Sequence, residues 1–242
     1  MAGTEPSDAA APNPPPRTTR TGRRAGIDRN QIVVAALALA DEHGIDAVSM
    51  RKVGEAVGVE AMSLYNHVAN KDDLLDGMVD AVFAEIELPD LDDPDLDWRT
   101  ALRNRARSAR AAMRRHPWAV TLMETRTSPG PATLRHHDTV LGTMRRSGFS
   151  LALAGHALAL LDAYVYGFAL EEITLPFDEP AGTAELAAAM HEALPADEFP
   201  YLAEFTVHHV MVPGYDFAAE FDFGLEIVLD GLAHAFAADT NA

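Results

Sequence analysis

From Asp28 almost to the C-terminus, apolar residues recur at helical spacing, and no stretch alternates as a half-buried strand would. That periodicity confines the chain to an all-α fold of about ten helices. Asp28 and Gln31 fit a capping box ahead of Ile32, Ala35, Ala36, Leu39 and Ala40. Gly44 suits the left-handed residue after that helix. Ser49 reads as the N-cap of a short helix over 50–57, with Val53 and Val57 inward and Gly58 closing it. A second short helix is expected over 61–67. Asn70 with Asp73 caps a longer one over 71–87.

Residues 88–97 (LPDLDDPDLD) interrupt the pattern. Their Asp spacing resembles a calcium loop, but Asp95 stands where the loop needs Gly and Ala101 where it needs Glu. The segment therefore reads as an acidic linker. Further helices are expected over 97–115, 117–124 and 131–146, then over 150–173, 183–193, 197–211 and 216–237. Residues 150–173 are apolar nearly all round, which predicts a buried helix.

Composition removes whole classes of chemistry. The chain has 242 residues and no cysteine, which excludes disulfides, thiolate metal sites and Cys nucleophiles. No run of 18 apolar residues appears, so no membrane span or membrane partner is expected. Residues 1–26 lack the apolar stretch of a signal peptide, and a cytoplasmic location is expected. The net charge of −18 argues against a protein that coats nucleic acid with its whole surface. That charge is uneven: residues 17–71 net +2, whereas residues 72–242 hold eleven Arg against 29 acids. Such asymmetry points to different partners for the two parts.

Residues 1–16 are rich in Pro and form no packed structure in this reading; Arg17, Arg20, Arg23 and Arg24 follow without an acid. This segment is either a solvated tail or a basic arm that tracks phosphates. The chain thus divides into a tail over 1–26, a unit over 27–75 and a body over 76–242. Two short helices joined by Gly58-Val59-Glu60, after a longer first helix, form a helix-turn-helix pattern. The second of the pair is the one such units place in the major groove. Leu64 and Val68 should face the core, leaving Ser63, Tyr65, Asn66 and His67 outward on a face free of acids.

Residues 45–75, IDAVSMRKVGEAVGVEAMSLYNHVANKDDLL, resemble the DNA-binding domain of the tetracycline-repressor (TetR) family. Weaker likenesses are Gly148-Phe149-Ser150-Leu151, Gly167 with Leu170-Glu171-Glu172, and Phe221-Asp222-Phe223-Gly224-Leu225-Glu226. They extend the resemblance over 27–237. It implies a dimeric regulator, a repressor released from a pseudo-palindromic double-stranded operator by a small-molecule effector. Arg51 matches a base-reading Arg, which grips guanine O6 and N7 together. Tyr65 matches a contact to a base or its backbone; Ser63, His67 and Lys71 match phosphate contacts. Ala61, Met62 and Asn66 replace the Gln, Pro and Trp of the tetracycline-responsive branch. Ala61 and Met62 suit a thymine methyl rather than a bidentate adenine contact, so the operator should differ.

The resemblance also implies an apolar effector cavity, for which the candidates are Trp118, Leu122, Met123, His137 and Leu141, with Met144, Tyr164, Phe168 and Glu171. Each also fits plain core packing. No cofactor is required. The branch's metal-binding His falls at Glu124, its amide contact at Val140 and its water-shell acid at Glu171, so sensing of tetracycline–magnesium is not expected. Glu124, His136, His137 and Asp138 are conceivable metal ligands, as is the pair His208-His209. Phe217, Phe221, Leu225, Val228, Leu232 and Phe236 form one apolar stripe. It is either an ordinary core face or, as the resemblance implies, half of an intersubunit four-helix bundle.

Two other classes compete. Gly148-Phe149-Ser150-Leu151-Ala152 approaches a nucleophile elbow, but Ala152 replaces the last Gly and no strand precedes it. No phosphate loop or dinucleotide fingerprint occurs, so an enzyme is not expected. A helical adaptor acting through protein contacts is the remaining alternative.

Overall fold

A computed structural model describes residues 27–123, 125–175 and 180–240, with the side chains of 180–185 and 190 excluded. The basic arm at 17–24, Pro176 and Glu124 lie outside the described residues. Those described form eleven α-helices and no strand. The first four are α1 (Arg29–His43), α2 (Met50–Val57), α3 (Ala61–Leu64) and α4 (Lys71–Ala84). Next come α5 (Trp98–Arg115), α6 (Val120–Met123), α7 (Pro131–Arg146) and α8 (Leu151–Thr174). The last are α9 (Pro180–Ala193), α10 (Pro200–Phe205) and α11 (Phe217–Asp239).

The capping residues act as the chemistry of orphan helix-end groups requires. Asp28 and Gln31 form the reciprocal box at α1. Ser49, Asn70, Asp97 and Ser150 cap α2, α4, α5 and α8 through their side chains. Gly44 has positive φ but extended ψ, so it is not the left-handed cap its position predicts. Gly58 is left-handed, with φ 74 and ψ 31. Gly54 lets α2 and α3 close together: a Cβ there would stand 2.8 Å from the Val59 carbonyl oxygen. Helix α3 is shorter than its pattern predicts. The amides of Asn66 and His67 turn to Ser63 and Leu64 in i→i−3 bonds, which tighten the chain into a turn. Residues 206–210 continue α10 as a π-helical turn, so the single helix expected over 197–211 is broken.

Two bodies meet at α4. Ile32, Ala36, Val53, Leu64, Leu74 and Met78 are buried around α1–α4. Beyond them α5, α7, α8 and α11 share a core that includes Ala106, Met113, Met144, Leu161, Val165 and Leu225. Helix α4 packs on both α1 and α7, so one continuous helix crosses the domain boundary expected between 75 and 76.

Helix α8 departs from expectation. Ala154, Ala157, Leu161, Val165 and Ala169 face inward, but Leu151, Leu160 and Leu170 are exposed. It is therefore a half-buried helix rather than a fully buried one. By length and composition alone it could cross a membrane, which the sequence reading did not anticipate. In the fold its inward face packs on α5, α7 and α11.

Candidate nucleic-acid interface and interior cleft

The polar face of the α2–α3 unit forms from its caps and its two core anchors. Val53 and Leu64 have no exposed surface and Val68 almost none, which fixes the rotation of both helices. Met62, Tyr65 and Asn66 are then exposed, and Ala61, Ser63 and His67 half-buried beside them. Lys71 is exposed at the first position of α4. Arg51 projects from the start of α2, where its Nη1 donates to Glu55 Oε1 at 2.6 Å. Arg29 ties the unit together from behind. Its guanidinium donates to both oxygens of Asp73, at 2.9 and 2.6 Å, and to the His67 carbonyl at 3.2 Å. The Arg29 hydrogen bonds hold the Asp73 carboxyl below its usual range. The turn after α3 is thereby fastened to α1 and α4.

A polar seam joins this unit to the body. Asp41 Oδ1, near the end of α1, accepts from Trp118 Nε1 at 2.7 Å and lies 2.8 Å from His116 Nδ1. His116 Nε2 lies 3.1 Å from Glu85 Oε1, just past α4. Arg115 also donates to Glu85, at 2.7 Å. On the other side of α4, Arg126 donates to Asp76 at 2.5 Å, and the Thr133 amide to Asp80 at 2.8 Å.

An open cleft of about 680 Å³ lies between α6, α7 and α8. Val120 and Thr121 line one side and His137 another; Leu158, Asp162, Tyr166 and Leu170 line the α8 wall. Gly155, Ala159, Ala163 and Gly167 stand four residues apart along that wall, so no bulky side chain obstructs it. Behind the wall, Arg105 is 1% exposed. It donates from Nη2 to Asp162 Oδ1 at 2.6 Å and from Nε to His136 Nε2 at 3.1 Å. His136 is fully buried, and burial lowers its pKa to about 3, with Arg105 adding to the effect. Its ring is therefore neutral, with Nε2 accepting and the proton on Nδ1.

Of the residues proposed for the cavity, His137 lines the cleft. The others serve packing or lie elsewhere. Trp118, Met123 and Met144 are core residues, and Leu122 and Leu141 pack against that core. Tyr164 donates to the Phe221 carbonyl at 2.8 Å and stacks on the Phe221 ring. Phe168 stacks on Phe217, with the Arg110 guanidinium 5.0 Å from its ring centre. Glu171 is exposed. Large apolar side chains fill a core where neighbours surround them, and spacing along one helix cannot show which side holds a neighbour.

The same reason corrects the proposed interface stripe. Phe221, Leu225 and Leu232 are buried inside the chain, Val228 packs against that core, and Phe217 covers Phe168. The outward apolar residues of α11 are instead Phe223 and Ile227. Among the described residues no group of three His, Asp or Glu side chains could hold a metal ion. His136 is bound by Arg105, and His209 Nε2 lies 3.1 Å from Glu220 Oε1.

Asp162 and Arg105 were missed by sequence reasoning, although a signal existed for each. Asp162 is a lone acid amid LALLDAYVYGF, and Arg105 shares the inward phase of Leu102, Ala106 and Ala109. An ionisable residue in an apolar phase needs a partner, and these two find each other.

Comparison with known proteins agrees with this architecture. Residues 32–78 match the family described as bacterial regulatory proteins, tetR family. Residues 88–236 match the tetracyclin repressor-like C-terminal domain. An HTH-type transcriptional regulator of Saccharopolyspora erythraea is 34% identical, covering 86% of this chain and 85% of that protein. The class A tetracycline repressor protein from transposon 1721 of Escherichia coli is 32% identical, covering 86% and 91%. The crystal structure of the Streptomyces coelicolor TetR family protein ActR in complex with actinorhodin superposes with a TM-score of 0.73 at 29% identity. It covers 87% of this chain and 99% of that one.

Proposed function

The chain belongs to the TetR family of bacterial regulatory proteins and is a ligand-responsive transcriptional repressor, and we propose that it binds a pseudo-palindromic operator as a homodimer. The observation that carries the reading is the polar face of α2 and α3, exposed above a locked core and tied through α1 and α4 to the cleft-bearing body. In this reading α3 enters the major groove. Arg51 takes guanine, and Tyr65 and Met62 meet neighbouring bases. Ala61 and Asn66 flank that contact, while Ser63, His67 and Lys71 take phosphates. The outward face of α8 and α11, with Leu160, Phe223 and Ile227, is the proposed subunit contact. It replaces the buried stripe.

The cleft of α6, α7 and α8 is the proposed effector site within a body over 76–242, and the unit over 27–75 is the proposed DNA reader. A bound effector releases the operator to the extent that it prefers the state with misplaced recognition helices. The ActR complex with actinorhodin supports an organic effector in a related fold. No metal or cofactor enters the proposal. A regulator acting on DNA works in the bacterial cytoplasm, and no catalytic step is assigned to this chain.

The test is an electrophoretic mobility shift against the chain's own upstream region. Specific retardation should fall at least tenfold in Arg51→Ala and in Tyr65→Ala, within the roughly 1–3 kcal/mol that a good base contact supplies. Unchanged retardation in both variants would refute the site assignment. An adaptor would show no specific retardation at all.

A further inference from the structure

We propose that Asp162 makes the cleft selective for uncharged aromatic alcohols, which donate a hydrogen bond to its carboxylate, and excludes aromatic carboxylic acids. The inference rests on reading the cleft as the effector site.

The cleft wall is apolar except at a few points. Its polar side chains include Asp162, His137 and Thr121. Asp162 is ionisable and only partly exposed, and Arg105 engages it through Oδ1. The pair cancels its own charge, but its two ends are placed unequally. The guanidinium is buried behind the wall, whereas the carboxylate is part of the wall. A ligand in the cleft therefore meets an acceptor and a negative charge first.

The neighbouring ring points the same way. His137 Nδ1 lies 2.8 Å from the Thr133 carbonyl, to which it can only donate. With Nδ1 so engaged, Nε2 is the ring nitrogen left for a ligand, an acceptor whenever the ring carries one proton. His136 adds no positive charge, because its burial beside Arg105 keeps it neutral. Two acceptors in an apolar cleft require a donor from the ligand. A molecule without one displaces water from these acceptors and gives nothing back, and a carboxylic acid adds like-charge repulsion.

Arg105 Nη1 and His136 Nδ1 are buried donors with no hydrogen-bond partner among the described residues. Neither residue lines the cleft, so a ligand resting there does not reach them. They define the competing outcome, since a ligand that penetrated to them would favour a carboxylate.

One aromatic scaffold with three head groups decides the matter. The full-length protein is titrated by fluorescence with 1-hydroxypyrene, 1-methoxypyrene and pyrene-1-carboxylate. The hydroxyl compound should bind at least tenfold tighter than either of the others. In Asp162→Asn the carboxylate of the wall is gone and Arg105 is unbalanced, so the acid should gain on the alcohol by at least tenfold. Circular dichroism shows whether that variant folds; if it does not, the wild-type ranking alone decides. Gly167→Leu fills the cleft from open space and keeps a good helix former in α8, so it should abolish binding of all three. Binding unaffected by Gly167→Leu, or no binding to the wild type, overturns the cleft reading itself. Binding lost in Gly167→Leu, but with the acid or the ether equal to or tighter than the alcohol, overturns only the proposed class.

Discussion

The reading head and the body use their charges in opposite ways. In the body, α5 spends its arginines inward and sideways. Arg99 and Arg103 bridge to Glu226 on α11, Arg107 to Asp222, Arg110 to Glu172 on α8, and Arg105 to Asp162. Arg115, Arg126 and Arg146 are also paired with carboxylates. Most of the positive charge of this part is taken up in such pairs, which leaves a surplus of acids. In the head, Lys52 and Lys71 form no ion pair among the described residues, and Arg51 pairs only within its own helix. The net charge of −18 therefore does not oppose DNA binding. It describes a body most of whose cations are paired, with the acid surplus outside the head.

The comparison is broken most severely at α11, where inner and outer faces lie within a few residues. Leu225→Asp puts a carboxylate into a site with no exposed surface and no partner, and should unfold the body at a cost above about 4 kcal/mol. A thermal melt followed by circular dichroism reads this as a lost transition. Phe223→Asp, two positions away, lies on the exposed face and should keep its helicity and a cooperative melt. If that face is the subunit contact, light scattering will show a monomer and operator affinity will drop sharply. A Phe223→Asp protein that stays dimeric refutes the assignment.

These paired outcomes also show what was readable beforehand. Caps are local: Asp28, Ser49, Asn70 and Gly58 act on backbone groups within a few residues, so their roles survive from sequence to structure. The outward set on α2 and α3 was legible for the same reason, since Val53 and Leu64 fix the rotation of very short helices. The body was not legible in this way. Phe221, Leu225 and Leu232 make the same stripe whether a helix of the same chain or of a second copy covers it, and only the tertiary partner, α8, decides. Tyr164 and Phe168 looked like cavity lining because they are aromatic. They face α11 because Asp162 and Arg105 meet on another side of α8.

The buried His136 gives the body a pH response. Its folded pKa of about 3 lies below the ordinary value near 6.5, so the unfolded chain binds the extra proton between those limits. Stability should be fully present above about pH 6.5 and decline as pH falls toward 3. The steepest contribution approaches 1.4 kcal/mol per pH unit. His136→Gln should flatten this part of a melting-temperature profile. An unchanged profile would show that the ring keeps its ordinary pKa in the fold. At lower pH a second loss follows. Arg103 and Arg99 hold Glu226 at a pKa of about 2, so its tie between α5 and α11 weakens as pH falls from about 4.5 to 2. Glu226→Gln should diminish that second phase and leave the first unchanged.

The seam between head and body offers a smaller effect of another kind. Asp41 accepts from Trp118, which sits two residues before the cleft-lining Val120. Asp41→Ala leaves a buried indole N–H unpaired and should cost about 1–3 kcal/mol of stability. If this contact carries effector occupancy to α1, the effector-induced change in operator affinity should shrink about fivefold while effector-free affinity stays within twofold. A thermal melt and paired operator titrations separate the two. Equal loss of both affinities would mean that Asp41 only supports the fold.

The smallest expected change tests the head's own charge arrangement. Glu55 holds Arg51 at 2.6 Å, and both side chains are exposed. In the proposed complex the carboxylate would repel nearby phosphates, and Arg51 would leave Glu55 only where a guanine offers two acceptors in return. Glu55→Gln removes the repulsion everywhere but the competition for Arg51 only in part. Affinity for unrelated DNA at low salt should therefore rise about threefold, and affinity for the operator should rise less. The discrimination between the two narrows, by an amount typical of one exposed ion pair. Equal gains on both DNAs would show that Glu55 acts as a general charge and has no part in the reading of bases.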